Sequence, residues 1–340
     1  MKNLLKTFVL TLTVSLLGIN SPAVLAKTIK IATISPEGTF WMKQMRAGAK
    51  EIKEKTQGRV KFKFYPGGVM GNETSVLKKM RVGQLHGGVF TSGGLAEIYP
   101  DCQIYSLPFL FRSYAEVDYV RGKMDADYRK GMAQNGMIVL GMSEGGFAYL
   151  MSDSPVRGID QLKGKKIWLP EGDVITQTVY EIAGIAPVPL PLADVYTGLQ
   201  TGMNDTTGTS PMAAIALQWH TRIKYASDIP LMYLLGLVVI DKKAFDKIDA
   251  NDQTVVLEVM NEVMNKLGEI NRKDDAQARI ALENQGIKFL GINAEEQRRW
   301  QEIARQSIEA LAGKGVYTAE MYDQVKQHLQ QFRSQPSSSE

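Results

Sequence analysis

The sequence predicts an α/β fold, and three observations carry that expectation. Strand-like and helix-like runs alternate at βαβ spacing from Thr28 to Thr91, the pattern of a parallel sheet with helices packed on it. Lys166–Pro170 alternates and stops at a proline that has no N–H for a ladder. From Asp252 to Asn284 the apolar residues keep helical steps over roughly 50 Å, longer than one lobe needs. A mature chain of more than three hundred residues has room for two lobes.

In order, Thr28–Thr33 reads as a strand, Phe40 to about Lys55 as a helix with Met42, Met45, Ala49 and Ile52 on one face, and Val60–Phe64 as a strand closed by Pro66-Gly67-Gly68. A helix over Glu73–Gly83 and a strand over Gly87–Thr91 follow, then a helix over Ala115–Gln134. Met137–Met142 and Phe147–Met151 read as two extended runs. After Lys163–Pro170 come a helix at about Ile175–Ala183, an extended Ala186–Leu190, short helices at Asp194–Thr201 and from Pro211, and an apolar strand over Leu231–Ile240. In the long helical run Val256, Met260, Val263, Leu267 and Ile270 are followed by a polar stretch, then Ala278 and Leu282, with Gly286 as the stop. The plainer reading is two helices broken near Asn271–Asp275; the sharper one is a single helix lying across both lobes, its polar middle at the solvated junction.

Residues 1–26 read as a cleaved secretory leader: Lys2 and Lys6, an apolar core from Phe8 to Leu17 too short to span a membrane, and small residues up to Ala26. Its removal takes two lysines and lowers the formal charge from +4 to +2, and mixed charges near neutrality do not favour nucleic acid. The expected location is the periplasm, in a chain that is not itself membrane-embedded. The single cysteine, Cys102, allows no internal disulfide, and His86, His220 and His328 are too scattered to hold a metal. No cofactor is expected.

Four segments, in order, resemble a known family. Tyr65–Glu73, Leu107–Arg112, Leu162–Ile167 and Val195–Gly202 are similar to the "P-G-G-x-L-G-G-E", "L-P-F-L-F", "L-K-G-x-K-I" and "V-Y-x-A-L-Q-T-G" stretches of substrate-binding proteins of tripartite ATP-independent periplasmic (TRAP) transporters. The resemblance implies two α/β lobes joined by hinge strands, a long helix shared by both, closure on a small molecule and delivery to TRAP membrane subunits. The lobes are expected at residues 27–145 plus about 231–250, and at 146–230 plus about 286–332, with 252–285 shared.

The departures fall on the ligand site. The family arginine after "L-K-G-x-K-I" is replaced by Trp168, and a second arginine after "G-F" is replaced by Ala148, which follows Gly146-Phe147. The "V-D-G-Q-E-N-P" segment is rebuilt as Asn204–Pro211. An indole offers one donor and no cation, so it cannot take a guanidinium's place against a buried carboxylate. The expectation is a neutral, aromatic or amphipathic ligand rather than a simple dicarboxylate, held by Trp168, Phe40, Trp41, Glu73, Ser92, Phe147, Tyr149, Leu192, Thr207 and Ser210. The alternative is an organic acid held by a displaced cation such as Arg112.

Each residue also has a plainer role: Trp168 as core, Glu73 as a helix start, Phe40 and Trp41 as a staple, Asp205 as a turn residue. Gly141-Met142-Ser143-Glu144-Gly145 matches the nucleophile elbow of serine hydrolases, but the helix that must follow is missing from the pattern. A non-enzymatic receptor is expected, delivering to a permease or else to a sensor.

Overall fold

The computed structural model describes residues 26–335; the expected leader lies, but for Ala26, outside them, as does the tail from Pro336. Strand β1 (Lys27–Ala32) leads into helix α1 (Phe40–Lys55), capped by the Thr39 hydroxyl, which accepts from the Met42 N–H. Strand β2 (Val60–Tyr65), helix α2 (Glu73–Arg81) and strand β3 (Gly87–Thr91) complete the βαβαβ start. Helix α3 (Tyr114–Gln134) precedes β4 (Met137–Ser152), a single strand of 16 residues. The two extended runs read from the sequence are therefore one strand. Its glycines at 141, 145 and 146 mark register shifts against its partner rather than a break.

The rest runs β5 (Ile167–Pro170), α4 (Val174–Ala183), β6 (Pro187–Leu190), α5 (Val195–Thr201), β7 (Thr206–Thr209), α6 (Pro211–Ala216), β8 (Tyr225–Ser227), β9 (Met232–Asp241), α7 (Lys242–Phe245), α8 (Ala250–Asn284), β10 (Lys288–Leu290), α9 (Ala294–Gly313) and α10 (Ala319–Arg333). Helix α8 is one unbroken helix of 35 residues, so there is no break near Asn271–Asp275.

The strand order β2-β1-β3-β9-β4-β7-β5-β6 makes two half-sheets that share β4. β4 pairs antiparallel with β9 along its first part and with β7 along its last, so it runs from one half to the other. Around the first half Ile29, Ile31, Met42, Met45, Leu140 and Met260 pack between the sheet, α1 and α8. On its other face Phe90, Tyr105, Val117, Val120, Phe147 and Tyr233 form the largest apolar cluster. The second half has Ile167, Leu169, Val179 and Trp300 on one face and Met151, Trp168, Val195 and Trp219 on the other.

The expected grouping of residues 286–332 with the second lobe fails at α10. Trp300 of α9 packs with Val179 of α4, but Met321, Val325 and Leu329 of α10 pack in the cluster of Val117 and Val120 on α3. Arg333 reinforces this, donating to Glu116 at 2.7 Å.

Candidate functional site

The exits of β3 and β5 come together, where such sheets carry their ligands: a Cβ on Gly93 would lie 3.9 Å from Asp173. On the first half, Gly67 and Gly68 take φ of 67° and 72°, which lets their N–H groups fold back on the β1 exit at Ser35 O (2.9 Å) and Thr33 O (3.0 Å). Asn72 then caps α2, its side chain accepting from Ser75 N–H at 3.0 Å, and sets Glu73 as the first helical residue. The Glu73 carboxylate accepts from Thr91 N–H (2.5 Å) and Thr91 Oγ1 (3.0 Å) and so ties the end of β3. A side chain at Gly94 would collide with that carboxylate. Burial pushes the Glu73 carboxyl up to about 7, with the Asp173 charge adding to the effect.

On the second half, β5 ends at Pro170 and Asp173 caps α4, accepting from Thr176 N–H (3.0 Å) and Thr176 Oγ1 (2.6 Å). Burial raises its carboxyl too. Glu171 accepts from Asn72 Nδ2 at 3.1 Å, a bond between the halves. Ile175 of α4, 2 % exposed, packs in the cluster of Phe90 and Phe147. Two buried carboxyls, Glu73 and Asp173, thus lie where the halves touch, near enough for the Asp173 charge to raise Glu73. Asp173 and Thr91 were absent from the expected site; the capping position after Pro170 was the available signal for Asp173.

Trp168 is not an exposed plate. It is 5 % exposed, stands edge-to-face on Trp219, and donates its indole N–H to Leu190 O at 2.9 Å. The plainer core role describes it, because helices α5 and α6 and Trp219 roof the face on which alternation put it. Thr207 lies opposite Met151 in the β4–β7 ladder, and Met151, Tyr149 and Leu192 join Trp168 in this cluster. Thr207 Oγ1 is buried without a partner.

Phe147 is buried, edge-on to both Tyr114 (5.1 Å) and Tyr233 (5.7 Å). Ser92 is buried with its hydroxyl 3.1 Å from that of Ser106. Ser210 caps α6 by accepting from Ala213 N–H. Phe40, 45 % exposed, lies at the surface, and Trp41 packs against the α1–α8 cluster. Neither joins the others.

Where β4 crosses between the halves, the cations are already paired. Arg272 donates to Glu144 at 2.6 Å and also to Asp118, Arg121 to Asp125 (3.0 Å) and Glu144 (3.1 Å), and Arg279 is paired with Asp228 at 2.7 Å. Arg112, the displaced cation considered above, is exposed, and its backbone N–H is held by Glu116. Asp275 is half-buried in the same region with its carboxyl pushed up to about 6 by burial. The Tyr114 hydroxyl is buried without a partner.

Ser143 sits inside β4 and no helix follows it, so the strand-to-helix turn of a nucleophile elbow does not form. Among the described residues no cluster of His, Cys, Asp or Glu could hold a metal, and no helix is long and apolar enough to cross a membrane.

Comparison with known proteins agrees with this architecture. The bacterial extracellular solute-binding protein family 7 (DctP) matches residues 31–314. A solute-binding protein of Chromohalobacter salexigens is 31 % identical over 165 residues, and that match spans about half of each chain: 48 % of this one and 49 % of the relative. The 2,3-diketo-L-gulonate-binding periplasmic protein YiaO of Escherichia coli is 26 % identical, with 70 % of this chain and 73 % of that one covered. The C4-dicarboxylate-binding periplasmic protein DctP of Rhodobacter capsulatus is 23 % identical, with 86 % and 88 % covered. Among solved structures, a TRAP periplasmic solute-binding protein from Desulfovibrio salexigens with bound orotic acid superposes with a TM-score of 0.80 at 20 % identity, covering 89 % of this chain and 99 % of that one. The Bordetella pertussis receptor DctP7, which binds pyroglutamic acid, gives 0.81 at 19 % identity over 90 % and 100 %. With nearly the whole described fold matched, the chain belongs to family 7 of the bacterial extracellular solute-binding proteins.

Proposed function

We propose that this chain is a periplasmic receptor that closes two lobes on a small organic solute and delivers it to the membrane subunits of a TRAP transporter, without chemistry of its own. Family membership supports the receptor role. Closure is supported by the contacts that cross between the halves, Asn72 to Glu171 and Ile175 into the cluster of the first half. Closure stabilises a complex only through contacts that both lobes make, so the solute sits between the Glu73–Ser92 side and the Asp173, Leu192 and Ser210 side.

The ligand is neutral or amphipathic at its point of contact rather than a simple dicarboxylate. The observation that carries this is the charge arrangement: positions 148 and 168 hold Ala and Trp, the arginines at the crossing are bound to carboxylates of the protein, and Glu73 and Asp173 remain as acceptors. A free carboxylate brought there would stay uncompensated, at a desolvation cost of several kcal/mol, whereas a neutral hydroxyl adds no charge to be compensated. Burial of Trp168 removes the flat aromatic wall from this argument and leaves hydrogen bonding as the basis of selection.

A second reading, an organic acid, is favoured by the ligands named for YiaO, DctP and DctP7. Mass spectrometry of the solute that co-purifies with the mature protein, followed by calorimetry with that solute, succinate and gulonate, separates the two. Micromolar binding of succinate would overturn the neutral reading and keep the receptor; no binding of any co-purified or supplied solute would overturn both.

A further inference from the structure

We infer that Asp275 is a positioning residue: it registers the junction of β7 and α6, at Ser210 and next to Thr207 and Thr209 of β7, to helix α8 where β4 passes Gly146, and this coupling is proton-sensitive. The junction matters to ligand capture only if the proposed receptor role holds; the coupling itself does not depend on that role.

Met212 is the second residue of α6, so its N–H has no intrahelical acceptor. It donates instead to Asp275 Oδ1 at 3.1 Å, across 63 positions of sequence. Ser210 Oγ takes the Ala213 N–H, and Pro211 has no N–H to place. Gly146, at φ 81°, is the third member: a Cβ there would lie 3.2 Å from Ser210 Cβ and 3.3 Å from Asp275 Oδ2. The strand that crosses between the halves, the β7–α6 junction and the spanning helix therefore converge on one carboxylate.

The charged and titratable groups around it are accounted for from each element. On α8, Arg272 and Arg279 lie about one turn away on either side, and both turn to other carboxylates, while Asp274 is exposed. From β4 come Glu144, engaged by Arg121 and Arg272, and Tyr149. From α3 comes Tyr114, whose hydroxyl is unpartnered. From α6 comes only the Met212 N–H. Among the described residues no cation compensates Asp275, and burial pushes its carboxyl up to about 6. A raised native value means that the native state binds the proton more tightly than the unfolded chain does. The stability this confers is full below the ordinary aspartate value and is lost as pH rises through about 6.

The test is hydrogen exchange of the 206–216 segment together with thermal unfolding from pH 5 to 8, on the full mature protein and two variants. Asp275→Ala is expected to speed exchange in 206–216 roughly tenfold without changing β1 and β2. Asp275→Asn, whose amide oxygen still accepts from Met212, should exchange like the parent. Its melting temperature should exceed the parent's by a margin that grows from pH 5 and levels off above about pH 7. Unchanged exchange in Asp275→Ala, or parallel melting profiles for parent and Asp275→Asn, would overturn the inference. Failure to find any solute would leave the exchange result standing and remove only the receptor reading.

Discussion

Trp168 and Trp219 meet edge to face, with ring centroids 5.2 Å apart and planes at 80°, and the Trp168 N–H is spent on Leu190 O. Two indoles far apart in sequence thereby close one face of the second half-sheet, at the position where the family resemblance implies an arginine. A charge at that depth would need a partner, and the indole needs only one acceptor.

Trp168→Ala is expected to destabilise the fold by about 3–5 kcal/mol, the range for emptying a buried aromatic site. Urea unfolding of the mature protein measures it. Unchanged stability with loss of solute binding alone would return Trp168 to the ligand wall.

Glu73 sets a pH dependence. Its native value is raised from 4.5 to about 7, so the contribution of its protonated form is complete below about 4.5 and disappears as pH rises through 7. Glu73→Gln should flatten the stability profile in that window and gain roughly 1–2 kcal/mol at pH 8, read by calorimetric melting at pH 5 and 8. A profile identical to the parent's would show that burial does not penalise this carboxylate.

Arg272 anchors the spanning helix to Glu144 of β4 and to Asp118 of α3. Arg272→Met leaves Glu144 with Arg121 alone and should cost about 1.5–3 kcal/mol, the range for losing hydrogen bonds to a charged group. Pairing it with Glu144→Leu should restore part of the loss, and the coupling energy from a double-mutant cycle is the quantity to measure.

Two glycines should respond oppositely to alanine. A Cβ at Gly87 would run into the Val239 carbonyl oxygen of the neighbouring strand, backbone that cannot move aside, so Gly87→Ala is expected to cost more than about 3 kcal/mol. Gly122, within α3 and with open space around it, should gain roughly 0.5–1 kcal/mol as alanine. Denaturant midpoints of the two variants check the pair.

Much of the fold was legible because its signals are local. Period-two runs placed β1, β2 and β3, helical steps placed α1, α3 and α8, and Pro66-Gly67-Gly68 and Pro170 stopped their strands where read. β4 was read as two runs, Met137–Met142 and Phe147–Met151, but its pairing with β9 continues through Gly146 to Ala148 and that with β7 takes over at Tyr149, so one strand results. The site was less legible. Glu73 and Ser210 stand on either side of the junction, but Asp173 and Asp275 were not read as site residues, since a cap residue and a polar stretch of helix look ordinary in sequence.

Alternation and motif order were enough to establish what kind of chain this is: strands, helices, their succession and the family to which they belong. They also established that Trp168 lies on the opposite face of its strand from Ile167 and Leu169. They did not say whether that face opens to solvent or is covered, because the cover comes from α5, α6 and Trp219, which a period of two does not reach. The same holds for α10, whose apolar stripe shows only that it must be buried, and which finds α3 across the length of the chain. Period and propensity act between near neighbours along the chain, whereas burial and charge compensation depend on what packs from elsewhere in it.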